Sequence, residues 1–400
     1  MVITYSLRTL LLLFLFVAGP LWSQANEDTE LKAFSLADTS MHERAADARL
    51  TLQAFDKRFV LELVPNESLW SPQEAARRDQ VLRDGRNAFY RGRLADNPRS
   101  WARINRIGDT LTGMFSDGTD LYMIDRARGF LLPDERRIEP DRTIAFRLKD
   151  LSAGWRIDDG GIEHHHEPAE TDELADPPGH RPSTRGSPNR SGADFAAYMV
   201  PVTIVTDVEF GDEYGADTGA VVAGRMNFID GIYESQVGTG IMLWHHETLE
   251  DNGSLTGTSL REFQEFMSSD DGSNIPFEGQ AHLVTGRAIT NAAGMAYVGV
   301  TCSTDWGVGV NEGLWSDTIS ALILAHELGH NFGARHDDSS HCPSGTEAGI
   351  MNSMINVSNQ TFSQCSLDAM QPRLENATCL QRNPGLLFQD RFQPAHGNSG

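Results

Sequence analysis

Residues 326–337 read HELGHNFGARHD, and this stretch decides the fold of the C-terminal half of the chain. The residues before it, SDTISALILA, predict a helix that begins at Ser316 or Asp317, because either side chain can accept a hydrogen bond from a free backbone N–H. His326 and His330 are four residues apart, so a helix places both imidazoles on one face. This spacing predicts a metal site, since Zn²⁺ prefers nitrogen ligands in a tetrahedral set.

A third ligand is expected at His336, beyond the end of the helix. A continuing helix would carry His336 away, but Gly333 can adopt a positive φ and turn the chain back towards the metal. Three protein ligands leave the fourth position of zinc open to water, which distinguishes a catalytic site from a structural one. Glu327 lies beside the first ligand, where a general base that takes a proton from this water belongs. The segment therefore predicts hydrolysis, with Glu327 as the catalytic residue and one Zn²⁺ ion as the cofactor.

The alternative is a helix that merely carries histidines at an exposed end. H-E-x-x-H occurs by chance, but H-E-x-x-H-x-x-G-x-x-H is far more restrictive and favours the zinc interpretation. A methionine turn after the long motif is a mark of the metzincins. Downstream, AGIMNSMINV offers Met351 and Met354 for the apolar floor beneath the imidazoles, and either methionine could equally be ordinary core.

The first residues predict a secretory signal peptide over residues 1–25. An apolar run at 9–22 is followed by the small residues Ser23 and Ala25 and then by an acidic stretch. A membrane anchor is the competing interpretation, but the run is short for a bilayer and contains a Gly-Pro pair. We therefore expect a secreted protein that keeps no membrane segment after cleavage.

Composition limits the class of partner. The chain has 400 residues, enough for two domains, and a formal net charge of −23. A chain this acidic repels phosphate backbones, so no nucleic-acid partner is expected. We expect a soluble monomer.

The cysteines predict two disulfides in an exported protein. All four lie in the last quarter of the chain, at Cys302, Cys342, Cys365 and Cys379. Their spacing leaves all three pairings open, and the absence of C-x-x-C disfavours a cysteine zinc site.

Shifts in composition divide the chain. Alternating apolar and polar residues predict a small β-rich unit within 26–155, with no obvious chemistry of its own. Residues 156–194 are rich in Pro, Gly and charged residues and predict a flexible linker that a trypsin-like protease could cut. The histidines at 164–166 fit a solvated run better than a cap on the metal. Residues 383–400 are expected to form a loosely held tail.

Residues 195–382 predict the domain that carries the metal site. Apolar strands in YMVPVTIVTDVEF, TGIMLWHHETL, AHLVTG and GMAYVGVTC alternate with helices in TGAVVAGRMNFIDGIYESQV and LREFQEFMSS. This alternation predicts an α/β fold, a mixed sheet with covering helices. The paired histidines His245 and His246 are expected to serve packing or the surface and not a metal.

The metal segment resembles the adamalysin (reprolysin, ADAM-type) branch of the metzincin zinc endopeptidases. Asp337 follows the third histidine, as the pattern HExGHxxGxxHD requires. The stretches GMAYVGVTCSTDWGVGV at 294–310, GIM at 349–351 and FSQCS at 362–366 also resemble that family. The resemblance covers about residues 198–381, and more faintly the β-rich unit resembles a reprolysin propeptide.

The resemblance implies a twisted five-stranded mixed sheet with a long active-site helix, preceded by a prodomain that is a partner of the enzyme. It implies that Met351 forms the methionine turn and that Asp337 is a buried support, with Gly333 at the turn. It pairs Cys302 with Cys379 and Cys342 with Cys365. Protein or peptide substrates would pair with an edge strand supplied by AHLVTGRAITNAAGMAYVG.

The chain departs from the family pattern in three ways. No cysteine precedes Cys302, so a prodomain cysteine cannot hold the enzyme latent. Pro201 falls near the position of a calcium-binding carboxylate, so a calcium site is not carried over. No disintegrin-like region follows, so adhesive partners are not implied.

The competing functions are a catalytically silent binding protein with the same fold and a hydrolase of non-peptide amides.

Overall fold

The computed structural model describes residues 30–152, except 45, 83–84 and 133–137, and residues 197–384, except 291 and 355–360. The expected signal peptide, the whole expected linker with its three histidines, and almost all of the expected tail lie outside these ranges.

The N-terminal unit is one antiparallel sheet of nine strands in the order β1-β9-β8-β7-β6-β5-β4-β3-β2. A helix, α1, connects β4 to β5. The bounds are β1 Ser35–Leu36, β2 Asp38–Glu43, β3 Ala48–Ala54, β4 Lys57–Pro65, α1 Ala75–Val81, β5 Asn87–Leu94, β6 Asn97–Ile107, β7 Thr110–Ser116, β8 Leu121–Arg126 and β9 Thr143–Arg147.

The side chains on the two faces of this sheet belong to two different hydrophobic cores. Successive side chains of a strand point to opposite faces. Phe89 and Met114 therefore enter a core shared with the C-terminal domain. Their neighbours Tyr90 and Phe115 enter a separate core within the N-terminal unit. One face of the N-terminal sheet is thus fixed against the C-terminal domain.

The C-terminal domain is a mixed sheet with helices. Its bounds are β10 Tyr198–Thr206, α2 Val208–Tyr214, α3 Thr218–Gln236, β11 Gly240–Thr248, α4 Leu260–Met267, β12 Ala281–Thr285, β13 Gly294–Ala296, β14 Val308–Glu312, α5 Asp317–Asn331, α6 Gln364–Glu375 and β15 Gln381–Arg382. Five strands run in the order β11-β10-β12-β14-β13, and a sixth, β15, pairs with β10. Strands β10, β11, β12 and β14 are parallel, and β13 and β15 are antiparallel to their neighbours.

Two expectations about this sheet need correction. The resemblance implies one edge strand over residues 281–299, but the segment supplies two strands, as the apolar pattern predicts, and β12 is interior, between β10 and β14. Of the two, only β13 lies at an edge of the sheet, and it ends at Ala296 instead of continuing to Cys302. The reason is a change of partner: the backbone N–H groups of Gly299 and Val300 donate to carbonyls at the end of α5, at 2.8 and 3.0 Å. Strand β14, which the apolar pattern did not locate, completes the path.

Helix α5 begins where the sequence indicates. Ser316, not Asp317, is the capping residue, and its hydroxyl accepts from the N–H of Ile319. Every residue of α5 after Asp317 is buried, so this helix crosses the interior of the domain. Its C-terminal end carries the first two histidines of the motif.

Two disulfides fasten the C-terminal part of the domain. They join Cys302 to Cys379 and Cys342 to Cys365, which are the pairs that the resemblance implies. Across the described ranges, none of the helices combines the length and the apolar character that a membrane span requires.

Candidate metal centre

Three imidazoles converge at the end of α5. The ligand atoms of His326, His330 and His336 all lie within 4.8 Å of one another, and the three residues are buried. His330 Nε2 and His336 Nε2 are 3.2 Å apart. The structure thus brings together the three histidines that the motif predicts as ligands.

Backbone carbonyls orient two of these rings. His326 Nδ1 lies 2.7 Å from the carbonyl oxygen of Ile350, and His330 Nδ1 lies 2.9 Å from that of Ala334. A carbonyl oxygen only accepts hydrogen bonds, so each Nδ1 carries the proton and donates it. The Nε2 atoms of these two rings then hold lone pairs, which is the tautomer that binds a metal.

The donor set fits zinc. Neutral imidazole nitrogens are preferred zinc ligands, and two of them in a tetrahedral site at 2.0–2.1 Å from the ion are about 3.3 Å apart. The 3.2 Å separation of the Nε2 atoms of His330 and His336 agrees with this geometry.

A glycine turn brings the third histidine back. Gly333 has φ +104°, and its N–H donates to the carbonyl of His330 at 2.8 Å, which closes the end of the helix. A side chain at this position would strain the backbone and would also meet Arg373, whose Cδ lies 2.7 Å from the place of a Cβ. The turn predicted at Gly333 is therefore present.

Met351 and Asp337 lie behind the imidazoles. Met351 is fully buried, and its sulfur packs against Gly329, so it lies under the helix turn between the two α5 histidines. Asp337 accepts hydrogen bonds from the N–H of Gly349 and from the hydroxyl of Ser366, each at 2.7 Å. These bonds tie the chain after His336 to the segment that carries Met351.

Glu327 lies between α5 and the sheet edge. It is fully buried, and its carboxylate contacts Gly294 so closely that no Cβ fits there. The carboxylate is therefore next to β13, an edge strand of the sheet.

One supporting residue was missed from the sequence. The hydroxyl of Tyr233 on α3 donates to the carbonyl of Ala325 at 2.7 Å, one residue before the first metal ligand. Burial raises the pKa of Tyr233 well above its usual value, and the charge of Glu327 raises it further. The sequence signal was the helical spacing of Tyr233 with Met226 and Ile229, which indicated only packing.

The other strand histidines do not join the centre. His246 is buried, lies 3.2 Å from the hydroxyl of Thr206, and has a pKa lowered to about 3, chiefly by desolvation. His245 Nδ1 lies 2.6 Å from a carboxylate oxygen of Glu74 in the N-terminal unit. His246 is thus packed in the interior, and His245 pairs with an acid at the contact between the two units.

Comparison with known proteins decides the family. Residues 198–384 match the model of the reprolysin (M12B) family zinc metalloproteases. The chain carries a reprolysin-type metalloprotease domain.

Curated relatives agree with the reprolysin match. The chain is 26% identical over 401 residues to disintegrin and metalloproteinase domain-containing protein 11 of Mus musculus, covering 89% of this chain and 48% of that protein. It is 39% identical over 107 residues to disintegrin and metalloproteinase domain-containing protein 9 of Homo sapiens, covering 26% of this chain and 13% of that protein. The chain thus spans about half the length of the first relatives it matches.

A solved structure is also similar. Metalloproteinase-II from Bacteroides fragilis aligns at 12% identity with a TM-score of 0.43, covering 84% of this chain and 91% of that one. At this TM-score the alignment adds nothing to the fold described above.

Proposed function

We propose that this chain is a secreted zinc endopeptidase, made as a proenzyme, that hydrolyses peptide bonds of proteins. The observation that carries the proposal is the set of three converging buried imidazoles, together with the buried carboxylate of Glu327, which follows the first ligand on α5 and contacts β13 at the sheet edge. The reprolysin match over residues 198–384 supports the same reaction class.

His326, His330 and His336 would hold the zinc ion. When bound, zinc supplies a Lewis acid that polarises the attacking water and the scissile carbonyl. Glu327 takes the proton of that water and later delivers it to the leaving amine.

The substrate would bind along β13. An edge strand offers unpaired backbone groups to an extended peptide, whatever its side chains. Gly294 on β13 contacts Glu327, so a peptide paired there would lie close to the general base. Specificity would then come from side-chain pockets and not from backbone pairing.

Export and latency complete the proposal. The sequence of residues 1–25 supports a signal peptide, and residues 26–155 would be the prodomain joined to the enzyme by residues 156–194. Cleavage at the arginines in that stretch, Arg181, Arg185 or Arg190, would activate the enzyme.

A catalytically silent binding protein is the second candidate. Loss of the general base is the easiest route to such a protein, but Glu327 is present, buried, and next to the first ligand in the sequence. The retained base therefore favours the enzyme.

The test is incubation of the purified protein with a peptide library, with and without a chelator. We expect cleavage that the chelator stops and that added zinc restores, with about one zinc ion per chain in the active protein. Cleavage that persists after complete removal of metal would refute the proposed site. Binding without cleavage by the zinc-loaded, linker-cleaved protein would favour the silent candidate.

A further inference from the structure

The N-terminal sheet and helix α3 share one apolar core. Trp101 and Met114 of the sheet belong to the same buried cluster as Phe228 and Ile229 of α3. A glycine on α3 permits close approach: a Cβ at Gly231 would lie 2.7 Å from the Trp101 ring. The contact therefore has the packing of a domain interior.

Four charged residues lie buried within this contact, and we call them the interdomain ion cluster: Arg91, Arg103, Asp230 and Glu234. Arg91 Nη2 lies 2.7 Å from both carboxylate oxygens of Glu234, and Arg103 Nη2 lies 2.8 Å from Asp230 Oδ2 and 2.5 Å from Glu234 Oε2. The exposed fractions of these side chains range from 1% to 9%. Both arginines come from the sheet, and both acids come from α3.

Each partner alone carries an unfavourable pair of like charges. Arg91 and Arg103 face each other directly across β5 and β6. Like charges directly opposite in a sheet are destabilising. Asp230 and Glu234 are four residues apart on one helix face, where like charges also repel. Docking converts two repulsive pairs into one neutral cluster.

Further hydrogen bonds cross the same surface. Asn105 of β6 donates to the carbonyl of Gly224 at 2.9 Å and accepts from Asn227 at 2.8 Å, both on α3. On the outer edge of the C-terminal sheet, Ser71 donates its backbone N–H to Leu243 of β11 at 3.0 Å. The N-terminal unit thus covers an edge strand that would otherwise be open to aggregation.

We propose that the N-terminal sheet remains a permanent, non-covalent partner of the metalloprotease domain after the connection between residues 152 and 197 is cut. The processed molecule is then a two-chain complex in which α3 stays covered and the interdomain ion cluster stays paired. Separation would expose a large apolar face to water and would leave a like-charge pair on each fragment without the opposite charges that neutralise it, so it is unfavourable. This inference concerns docking and holds independently of peptide hydrolysis.

The test cuts the full chain at one engineered place. A recognition site for a sequence-specific protease is introduced within residues 153–196 of the Glu327→Ala variant, which excludes self-cleavage. After complete cutting, gel filtration at micromolar concentration and native mass spectrometry measure the assembly. We expect both fragments in one species at a 1:1 ratio. Elution as two separate folded fragments under non-denaturing conditions would overturn the proposal.

Variants test whether the interdomain ion cluster holds the complex. Glu234→Met leaves Arg91 buried without its carboxylate, and we expect the dissociation constant of the cut complex to rise by about 10² to 10³-fold. The double variant Arg91→Met/Glu234→Met removes the charge from both partners and keeps the pair of Arg103 with Asp230, so it should dissociate less than Glu234→Met. The matched control is Arg49→Met, since the Arg49 side chain is 60% exposed.

The outcomes of these variants are distinct. A double variant that dissociates as readily as Glu234→Met would contradict the charge argument, because the loss would then reflect packing alone. If Glu234→Met does not fold, the double variant and the wild-type chain still test the proposal. For both, co-elution of the two fragments after cutting is then measured over a series of salt concentrations. Persistent co-elution of both in high salt supports the proposal, and release of the wild-type fragments opposes it.

Discussion

The histidine triad and the interdomain ion cluster are both buried polar sites, but they are assembled in opposite ways. The triad comes from one short segment, and His330 and His336 are only six residues apart. The cluster joins residues separated by 127 to 143 positions along the chain. The triad lies next to the sheet edge where chemistry is proposed, and the cluster lies where two units meet.

Because the two sites are assembled differently, we expect changes at the metal centre to affect catalysis and changes at the interdomain ion cluster to affect stability. The triad is held by the local geometry of one helix end, so a change at its neighbour Glu327 should alter chemistry more than folding. The cluster exists only when the N-terminal sheet is docked on α3, so a change there should alter folding more than chemistry. Each prediction below would break or sharpen that separation.

The largest effect is expected for Glu327→Ala. Loss of a general base lowers turnover by about 10² to 10⁴-fold. The three histidines remain, so zinc content should stay at that of the parent chain, as measured by metal analysis beside peptidase kinetics.

Glu265→Ala is the matched control, because Glu265 is an acid on α4 with a side chain 62% exposed. Its activity should equal that of the parent chain. Full activity in Glu327→Ala would remove this residue from the mechanism, and loss of zinc would show that it supports the ligands instead.

The next effect is expected for Arg103→Met. This change leaves Asp230 and Glu234 with one guanidinium between them in a dry interface, so the free energy of unfolding should fall by about 3–5 kcal/mol. Denaturant titration measures this loss. Turnover per folded molecule should be unchanged, because Arg103 pairs with Asp230 and Glu234 of α3, which are not part of the metal centre.

Arg49→Met is the control for Arg103→Met. Arg49 and Glu62 are both mostly exposed and 3.8 Å apart, so their pair should contribute less than about 0.5 kcal/mol. Equal destabilisation by the two variants would show that burial does not set the strength of the cluster.

The metal centre could be predicted from the sequence because its rules are local. The four-residue spacing of His326 and His330 fixes both on one helix face, and Gly333 permits the one turn that returns His336. The structure gives Gly333 a φ of +104°, as that argument requires. The carbonyls of Ile350 and Ala334 were not foreseen, because backbone groups carry no sequence signal.

The interdomain ion cluster could not be predicted from the sequence. Arg91 and Arg103 alternate with apolar residues on their strands, which is also the pattern of a solvated face. Only the docking of α3 shows that this face is buried. The wrong prediction of β12 as an edge strand has the same cause. The order of strands in a sheet depends on pairings between distant parts of the chain, so the local sequence of β12 does not indicate its interior position.

A smaller effect, dependent on pH, is expected at the other end of α5. Asp125 on β8 accepts hydrogen bonds from the N–H and the hydroxyl of Thr318, at 3.2 and 2.8 Å. Burial raises the pKa of Asp125 to about 6, and the nearby charge of Asp317 adds to the shift. Asp317 is itself paired with Arg225 at 3.1 Å.

The direction in which stability changes with pH follows from the number of protons that the folded and unfolded chains bind. Between about pH 4 and pH 6 the folded chain keeps the Asp125 proton that the unfolded chain has lost, so stability falls as pH rises through this window. Asp125→Asn keeps an acceptor for Thr318 but does not titrate. The free energy of unfolding of the parent chain minus that of Asp125→Asn should therefore decrease by up to about 3 kcal/mol from pH 4 to pH 7. Denaturant titrations of both proteins at several pH values measure this difference. A difference that stays constant with pH would show that Asp125 is ionised throughout the range. The N-terminal sheet would then bind the start of α5 through a permanently charged side chain, as it binds α3 through the interdomain ion cluster.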